Sequence, residues 1–372
     1  MIYLDSAATT LQKPPSVPRA VARALASMTS PGRGNYGPAA RASQTLLACR
    51  EAAADLFRVD QPERVVLTFN ATHGLNIAVR SLVKPGQTVV LSGYEHNAVT
   101  RPLAMIPGVR VKVVKAPLFR PDLFLEDLER QLTGEVDAAI FTHVSNVFGY
   151  ALPMEQAAAL CRRNGVPFLV DAAQSAGVLP VPMDGWGAEF IAMPGHKGLY
   201  GPQGTGLLLC RESGEPILAG GTGSLSRQAE MPPFLPDRLE AGTHNVPGAA
   251  GLLAGLQFLR KRGLEAIRRH ETALIRQAAE GLGNLPGVQV YAAHSPGVQV
   301  GVLSFRLPDK DPGWVAEALS QRGIAVRAGL HCAPLAHAAG GTEQTGTVRV
   351  SVSAFNTSRE IEGFLAAMKS LV

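Results

Sequence analysis

The sequence is short of charge, of aromatic rings and of cysteine, and none of its apolar runs is long. Charged residues make up 17% and aromatics 6% of the 372 residues. The cysteines number four, at 49, 161, 210 and 332. They form no C-x-x-C pair and no cluster with metal-ligand spacing, which argues against a disulfide scaffold and against a metal site. No run approaches the ~20 apolar residues that span a bilayer, and Met1-Ile2-Tyr3-Leu4-Asp5 has no basic and apolar leader pattern. A protein without membrane association, in a reducing, cytoplasmic compartment, is expected. The formal charge is +5, yet the basic residues are scattered. The densest group, Arg260-Lys261-Arg262 with Arg268-Arg269, has no interleaved aromatics; it reads as a solvated helix face, and nucleic acid is not an expected partner.

Glycine and proline, by contrast, are plentiful, at 39 and 27. From 39 to 210 helical patterns alternate with short β-branched runs at 65–68, 88–92, 110–115, 138–144, 167–171, 189–193 and 207–210. Helical segments near 41–57, 74–83, 122–132 and 155–164 lie between several of them. Such alternation predicts a mostly parallel sheet with helices on both faces, and ligands of such sheets bind beyond the carboxyl ends of the strands. Residues 213–246 form a long Gly- and Pro-rich excursion. One helical pattern runs from 247 to about 282, followed by an α+β pattern with strands near 287–291, 300–306, 324–327 and 347–352 and helices near 312–322 and 358–370. The expected division is a large domain over 15–255 and a smaller one over 256–372 that includes the arm 1–14. Gly32-Arg33-Gly34-Asn35-Tyr36-Gly37 matches G-x-G-x-x-G, but it follows a helical pattern and Pro31 where a strand is required; it reads as a flexible loop.

The residues with chemistry stand just past the predicted strand ends. Lys197 sits in Met193-Pro194-Gly195-His196-Lys197-Gly198-Leu199-Tyr200-Gly201, where glycines let backbone approach a bound group and burial would lower the amine pKa; the alternative is a solvated surface lysine. Asp171 ends a buried apolar strand, a costly place for a carboxylate without a cationic partner. Asn70-Ala71-Thr72 opens a helix, which suits an anion or a simple cap. His96 follows another strand and could cover a flat ring or merely be surface. Asn146 ends a further strand, as substrate contact or turn. Arg349, on a strand, suits capture of a carboxylate. Cys332, in Arg327-Ala328-Gly329-Leu330-His331-Cys332-Ala333-Pro334, has cationic neighbours that favour a nucleophilic thiolate, while the other cysteines read as small buried hydrophobes.

In this order, from Tyr3-Leu4-Asp5-Ser6-Ala7-Ala8-Thr9-Thr10 to Phe355-Asn356-Thr357, these motifs make the chain resemble a fold-type I pyridoxal-phosphate enzyme of the class V aminotransferase group. It is most similar to the cysteine desulfurase and selenocysteine lyase branch of the SufS type. The resemblance implies pyridoxal 5'-phosphate as cofactor, Lys197 as its Schiff-base lysine and Asp171 as partner of the pyridinium nitrogen. It implies His96 stacked on the ring, Gln174 as donor to the phenolic oxygen, and Ala71, Thr72 and His196 at the phosphate. Thr243 would reach the phosphate of a neighbouring subunit, hence a homodimer. Arg349 would bind the substrate carboxylate, with Asn146, Ala7 and Arg327 nearby, and Cys332 would carry the persulfide. The implied reaction converts L-cysteine, or L-selenocysteine, to L-alanine, with sulfur passed to an acceptor protein. The sequence departs from the family at Pro194, where a serine is frequent, at Gly198, an additional residue after the lysine, and in the 31–37 loop, which lacks a histidine. Alternative readings keep the cofactor without thiol chemistry (an aminotransferase, an epimerase, or a lyase with no obligatory persulfide) or make the chain a non-catalytic partner in sulfur transfer.

Overall fold

A computed structural model describes residues 1–32 and 34–372. Arg33, in the G-x-G-x-x-G loop, lies outside the described residues. The strands, in chain order, are β1 (Ile2–Tyr3), β2 (Val65–Thr68), β3 (Thr88–Ser92), β4 (Arg110–Val114), β5 (Ala138–Thr142), β6 (Phe168–Asp171), β7 (Phe190–Pro194), β8 (Gly206–Cys210), β9 (Gln289–Tyr291), β10 (Val302–Arg306), β11 (Ile324–Ala325), β12 (Arg327–Gly329) and β13 (Thr347–Ser351).

Seven of them form one sheet in the order β2-β8-β7-β6-β5-β3-β4. Strands β4, β3, β5, β6 and β7 run parallel, and β8 alone is antiparallel to both its neighbours. The expected mostly parallel sheet is therefore present. Successive residues of a strand face opposite sides, so each strand except the edge strand β4, which is largely exposed, serves two cores. Val90, Phe141, Val170, Ile191 and Leu209 join one, which the helices Gly37–Phe57, Pro121–Gln131, Met154–Arg163 and Val246–Arg262 cover. Val89, Ile140, Leu169, Ala192 and Leu208 join the other, beneath Ala71–Leu82 and Asn97–Ala104. This two-sided burial explains the near-continuous apolar runs of the sequence.

A smaller antiparallel sheet, β12-β13-β10-β9, has its own core. Leu4 of the N-terminal arm enters that core together with Leu274, Ile275, Ala278 and Leu282 of the helix Leu264–Gly283. The arm is tied there because β1 pairs parallel with β11 and Asp5 bridges to Ser351.

Three local expectations need correction. The single helix expected over 247–282 is two, Val246–Arg262 and Leu264–Gly283, broken at Gly263, whose φ of 81° only glycine adopts without strain. The strand expected at 324–327 splits, with β11 and β12 on either side of Val326 in two different sheets. The loop at 31–37 ends in a helix start, since Gly37 already begins Gly37–Phe57 with Pro38 in its first turn. Residues 213–245 contain no helix or strand, as the composition predicts.

Candidate active site

The strands β2, β3, β5, β6 and β7 point the same way, so the residues that follow them meet at one edge of the sheet. A pocket lies there, lined among others by Ala71, Thr72, His96, Asn146, Asp171, Gln174, His196 and Lys197. Lys197 leaves β7 in a turn that glycine makes possible. A Cβ at Gly198 would stand 2.3 Å from the Ala176 carbonyl oxygen, so the additional residue after the lysine must be glycine for this loop to pack against Ala176-Gly177. Burial pushes the pKa of the Lys197 amine down to about 8, opposed by Asp171 and helped by Arg349 and Arg327.

Asp171 closes β6 at 3% exposure. One carboxylate oxygen accepts the Ala173 N–H at 2.9 Å; burial raises its pKa, against the pull of that bond and of Lys197. At the end of β2 the Asn70 side chain caps the helix by accepting the His73 N–H at 2.9 Å. The first-turn amides of Ala71 and Thr72 have no carbonyl partner within the helix, and both residues line the same pocket. His96 caps the next helix through Nδ1, which accepts the Ala98 N–H at 3.0 Å. The proton of this imidazole is therefore on Nε2, and burial, then the Lys197 charge, lowers its pKa to about 4.

The chemistry of this donor set fits pyridoxal phosphate: an amine with a depressed pKa, a buried carboxylate with one oxygen unshared, a flat imidazole, and free amides at a helix N-terminus for an anion. His196 also lines the pocket, neutral because burial lowers it to about 4. Gln174 already donates through Nε2 to the Ala7 carbonyl at 3.0 Å, so its second amide hydrogen is the one left for a ligand.

Arg349 is buried at 2% exposure on β13. Its Nη2 is 2.8 Å from an Asp5 carboxylate oxygen, its Nη1 donates to the Asn146 carbonyl at 3.0 Å, and its Nε has no partner among the described residues. Arg327 stands directly opposite it in the β12–β13 ladder and is exposed. Cys332 is the exposed cysteine; the other three are buried, and burial raises each of their thiols, Cys49 and Cys161 to about 12. The Cys332 loop is drawn to the pocket wall by two bonds. Asn146 Nδ2 donates to the His331 carbonyl at 2.8 Å, and the Asn97 N–H donates to the Cys332 carbonyl at 2.7 Å. The Asn146 side chain is thus engaged with the cysteine loop in addition to lining the pocket. His331 and Cys332 both have left-handed φ, 50° and 56°, a conformation non-glycine residues hold only where surrounding contacts impose it.

Thr243 is not among the residues around Lys197. It is exposed and lines a separate hollow with Phe69, His73 and Leu218. Its segment is anchored by a buried network in which Arg50 binds Glu240 through two bonds of 2.7 and 2.6 Å, while Glu240 also contacts His244 and accepts the Leu67 N–H at 2.6 Å. Burial alone would raise the Glu240 pKa, but Arg50 and His244 outweigh it and hold the carboxyl below 4.5. Replacing Arg50 with methionine removes the guanidinium from this buried carboxylate, and a stability loss of about 3–5 kcal/mol is expected, read from urea unfolding. Because the folded-state pKa is the lower one, the wild-type contribution is present above pH 4.5 and disappears as the pH falls through the folded value.

Sequence reasoning did not single out Asp5, Lys13 or Glu95. Glu95 is fully buried beside the strand ends, accepting the Thr142 N–H at 2.6 Å and contacting Ser92, and burial raises its pKa to about 8. Its place between the strand end and His96 was the available signal. Among the described residues no group of acidic, histidine and cysteine side chains could hold a metal ion. No helix among them is long and apolar enough to cross a membrane.

The family model for class-V aminotransferases matches residues 2–364. The chain is 31% identical to a probable cysteine desulfurase of Pyrococcus abyssi, covering 100% of this chain and 94% of that one. With a probable cysteine desulfurase of Methanothermobacter thermautotrophicus the identity is 34%, over 97% and 92% of the two chains. The apo structure of cysteine desulfurase from Thermococcus onnurineus superposes with a TM-score of 0.91 at 33% identity, covering 100% of this chain and 94% of that one. The chain belongs to the class-V aminotransferase family.

Proposed function

We propose that the protein is a pyridoxal-phosphate-dependent cysteine desulfurase that takes sulfur from L-cysteine onto Cys332 and leaves L-alanine. The observation that carries this reading is the juxtaposition of the Lys197–Asp171 pocket with an exposed cysteine whose loop is bonded to the pocket wall at His331 and Cys332. The names of the relatives support it.

When bound, the cofactor supplies an electron sink that makes the substrate Cα proton removable. The chain supplies the rest. Asp171 would pair with the cationic ring nitrogen, offsetting the cost of burying a carboxylate. The amides of Ala71 and Thr72, with His196, would hold the phosphate, and His96 would lie against the ring. Arg349, with Nε free and its fork held by Asp5 and Asn146, receives the substrate carboxylate. The Lys197 amine, neutral in a substantial fraction near pH 8, accepts and returns the Cα proton. The Cys332 sulfur then attacks the substrate sulfur. The Cβ–S bond breaks as the S–S bond forms, Cβ is reduced to a methyl group, and the two sulfurs are left as a persulfide. The thiol proton lost by Cys332 is balanced by the one gained at Cβ, so no external oxidant or reductant is needed.

The exposure of Cys332, next but one to Leu330 at 43% exposure, suits delivery of the persulfide to an acceptor protein. L-Selenocysteine, which differs only in the chalcogen, fits the same contacts. The domain division at 15–255 and 256–372, with the arm 1–14, and a cytoplasmic setting for the four free thiols belong to the same reading. So does a homodimer: exposed Thr243 shares its hollow with Phe69 and Leu218, 52% and 47% exposed, as a surface awaiting a second copy would.

The test is an assay of alanine and acid-labile sulfur from L-cysteine with the cofactor-loaded protein and a thiol reductant. Equal amounts of both are expected; transamination of a ketoacid with no sulfur released would overturn the reading. Asp171→Asn should retain the pocket but lower kcat by roughly 10²-fold or more, the order of loss seen when a preorganised charge partner is removed, with a smaller change in KM for L-cysteine.

A further inference from the structure

Both peptide groups that flank the Lys197 Cα are held by the N-terminal arm. The His196 carbonyl oxygen accepts from Lys13 Nζ at 2.8 Å, from Thr10 Oγ1 at 3.0 Å and, more distantly, from the Thr10 N–H and Thr9 Oγ1 at 3.3 Å each. The Lys197 carbonyl oxygen accepts from the Tyr200 N–H at 2.9 Å and from Thr10 Oγ1 at 3.3 Å. Lys13 also donates to Thr10 Oγ1, so the ammonium strengthens the hydroxyl as a donor to His196. Because a peptide unit is planar, fixing these two oxygens fixes the planes on either side of the Lys197 Cα, and with them the direction in which its side chain leaves the backbone.

We propose that Lys13 is a positioning residue for Lys197: it grips the preceding carbonyl and so aims the amine into the cofactor pocket. The reading of Lys197 as the cofactor lysine underlies this inference. A lysine is an expensive choice for such a grip. Lys13 is half-buried, and among the described residues no carboxylate pairs with it. Burial without an anion penalises the charge, and a neutral donor would satisfy one carbonyl at lower cost. What the lysine adds is reach and a charge-assisted bond to the carbonyl beside Lys197. It spans from residue 13 to the far end of β7, where the arm and the large sheet meet.

The test compares Lys13→Met, which keeps the length and apolar stem, with Lys13→Arg, which keeps the cation and the donors. Five quantities are read in the full-length protein: thermal melting, the dissociation constant of pyridoxal phosphate by equilibrium dialysis, kcat and KM for L-cysteine in the cofactor-loaded protein, and the pH profile of Lys197 acetylation by trace acetic anhydride in the cofactor-free chain. With Lys13→Met, cofactor affinity and kcat should fall roughly tenfold to a hundredfold, the range expected from misplacing a reacting group. KM for L-cysteine should stay within about twofold, and the Lys197 labelling profile should shift; Lys13→Arg should recover most of each. A Lys13→Met protein with a lower melting point but an unaltered labelling profile and cofactor affinity would overturn the proposal, as would failure of Lys13→Arg to recover either. If the unsubstituted protein binds the cofactor elsewhere than Lys197, the proposed function and this inference both fall. If it loads at Lys197 but Lys13→Met is indistinguishable from it, only this inference does.

Discussion

Replacing Lys197 with alanine should abolish alanine formation from L-cysteine, a loss of roughly 10⁴-fold or more, as for other single nucleophile deletions. Two functions disappear with one amine. The cofactor loses its covalent attachment, so a chain that is purified coloured should lose that colour on gel filtration. The Cα proton loses its acceptor, since among the described pocket-lining residues His96 is held neutral with Nδ1 already accepting from Ala98. The variant should still fold, because β7 ends three residues earlier, at Pro194, and the arm holds this segment through the backbone carbonyls of His196 and Lys197. A melting temperature near that of the wild type with no turnover separates this result from unfolding. The depressed amine pKa adds a pH dependence. The neutral amine is the species that reacts with a carbonyl, so capture of pyridoxal phosphate by the cofactor-free chain should accelerate as the pH rises to about 8 and level off above it. Capture that slows with rising pH over that interval would contradict the assignment.

Cys332→Ala should have the second largest effect, and a different signature. Alanine and persulfide formation from L-cysteine should fall by roughly 10³-fold or more. Cofactor binding and the spectral response to L-cysteine should persist, because the bond that ties Cys332 to the pocket wall runs through its backbone carbonyl, to Asn97. The two variants therefore divide the reaction: Lys197→Ala blocks it at the cofactor and Cys332→Ala at sulfur transfer. Unchanged sulfide release from Cys332→Ala would leave the pocket assignment standing and remove the persulfide route, in favour of a lyase or transaminase.

The large sheet was legible because its strands, the edge strand β4 apart, are buried on both faces. A run such as Thr88-Val89-Val90-Leu91-Ser92 needs no partner to be read as a strand. Four site residues were legible for a related reason: parallel strands all end at the same edge of the sheet, so position just past a strand end is itself a signal. Asp171, His96, Asn146 and Lys197 all carry it.

What the sequence withholds are pairings across long separations. Arg349 reads as a free carboxylate anchor, yet one of its nitrogens is bonded to Asp5, 344 residues away. Lys13 reads as an ordinary arm residue, yet it grips a carbonyl 183 residues on. Glu240 sits in an irregular excursion with nothing local to mark it as the buried partner of Arg50, 190 residues earlier. Local propensity speaks to φ, ψ and periodicity; it has no term for such contacts. The break at Gly263 escapes the pattern for the opposite reason. Glycines inside a helical pattern are tolerated, as Gly248, Gly251 and Gly255 are here, and only the packing of Leu274, Ile275 and Ala278 into the smaller core shows why the chain turns at Gly263.

The measurement that bears most directly on the account is the mass of the Cys332 peptide after a single turnover of the cofactor-loaded protein with L-cysteine, with alanine quantified in the same sample. One added sulfur atom on Cys332 is expected for each alanine formed. Alanine without added sulfur at Cys332, or added sulfur on another cysteine, would contradict it.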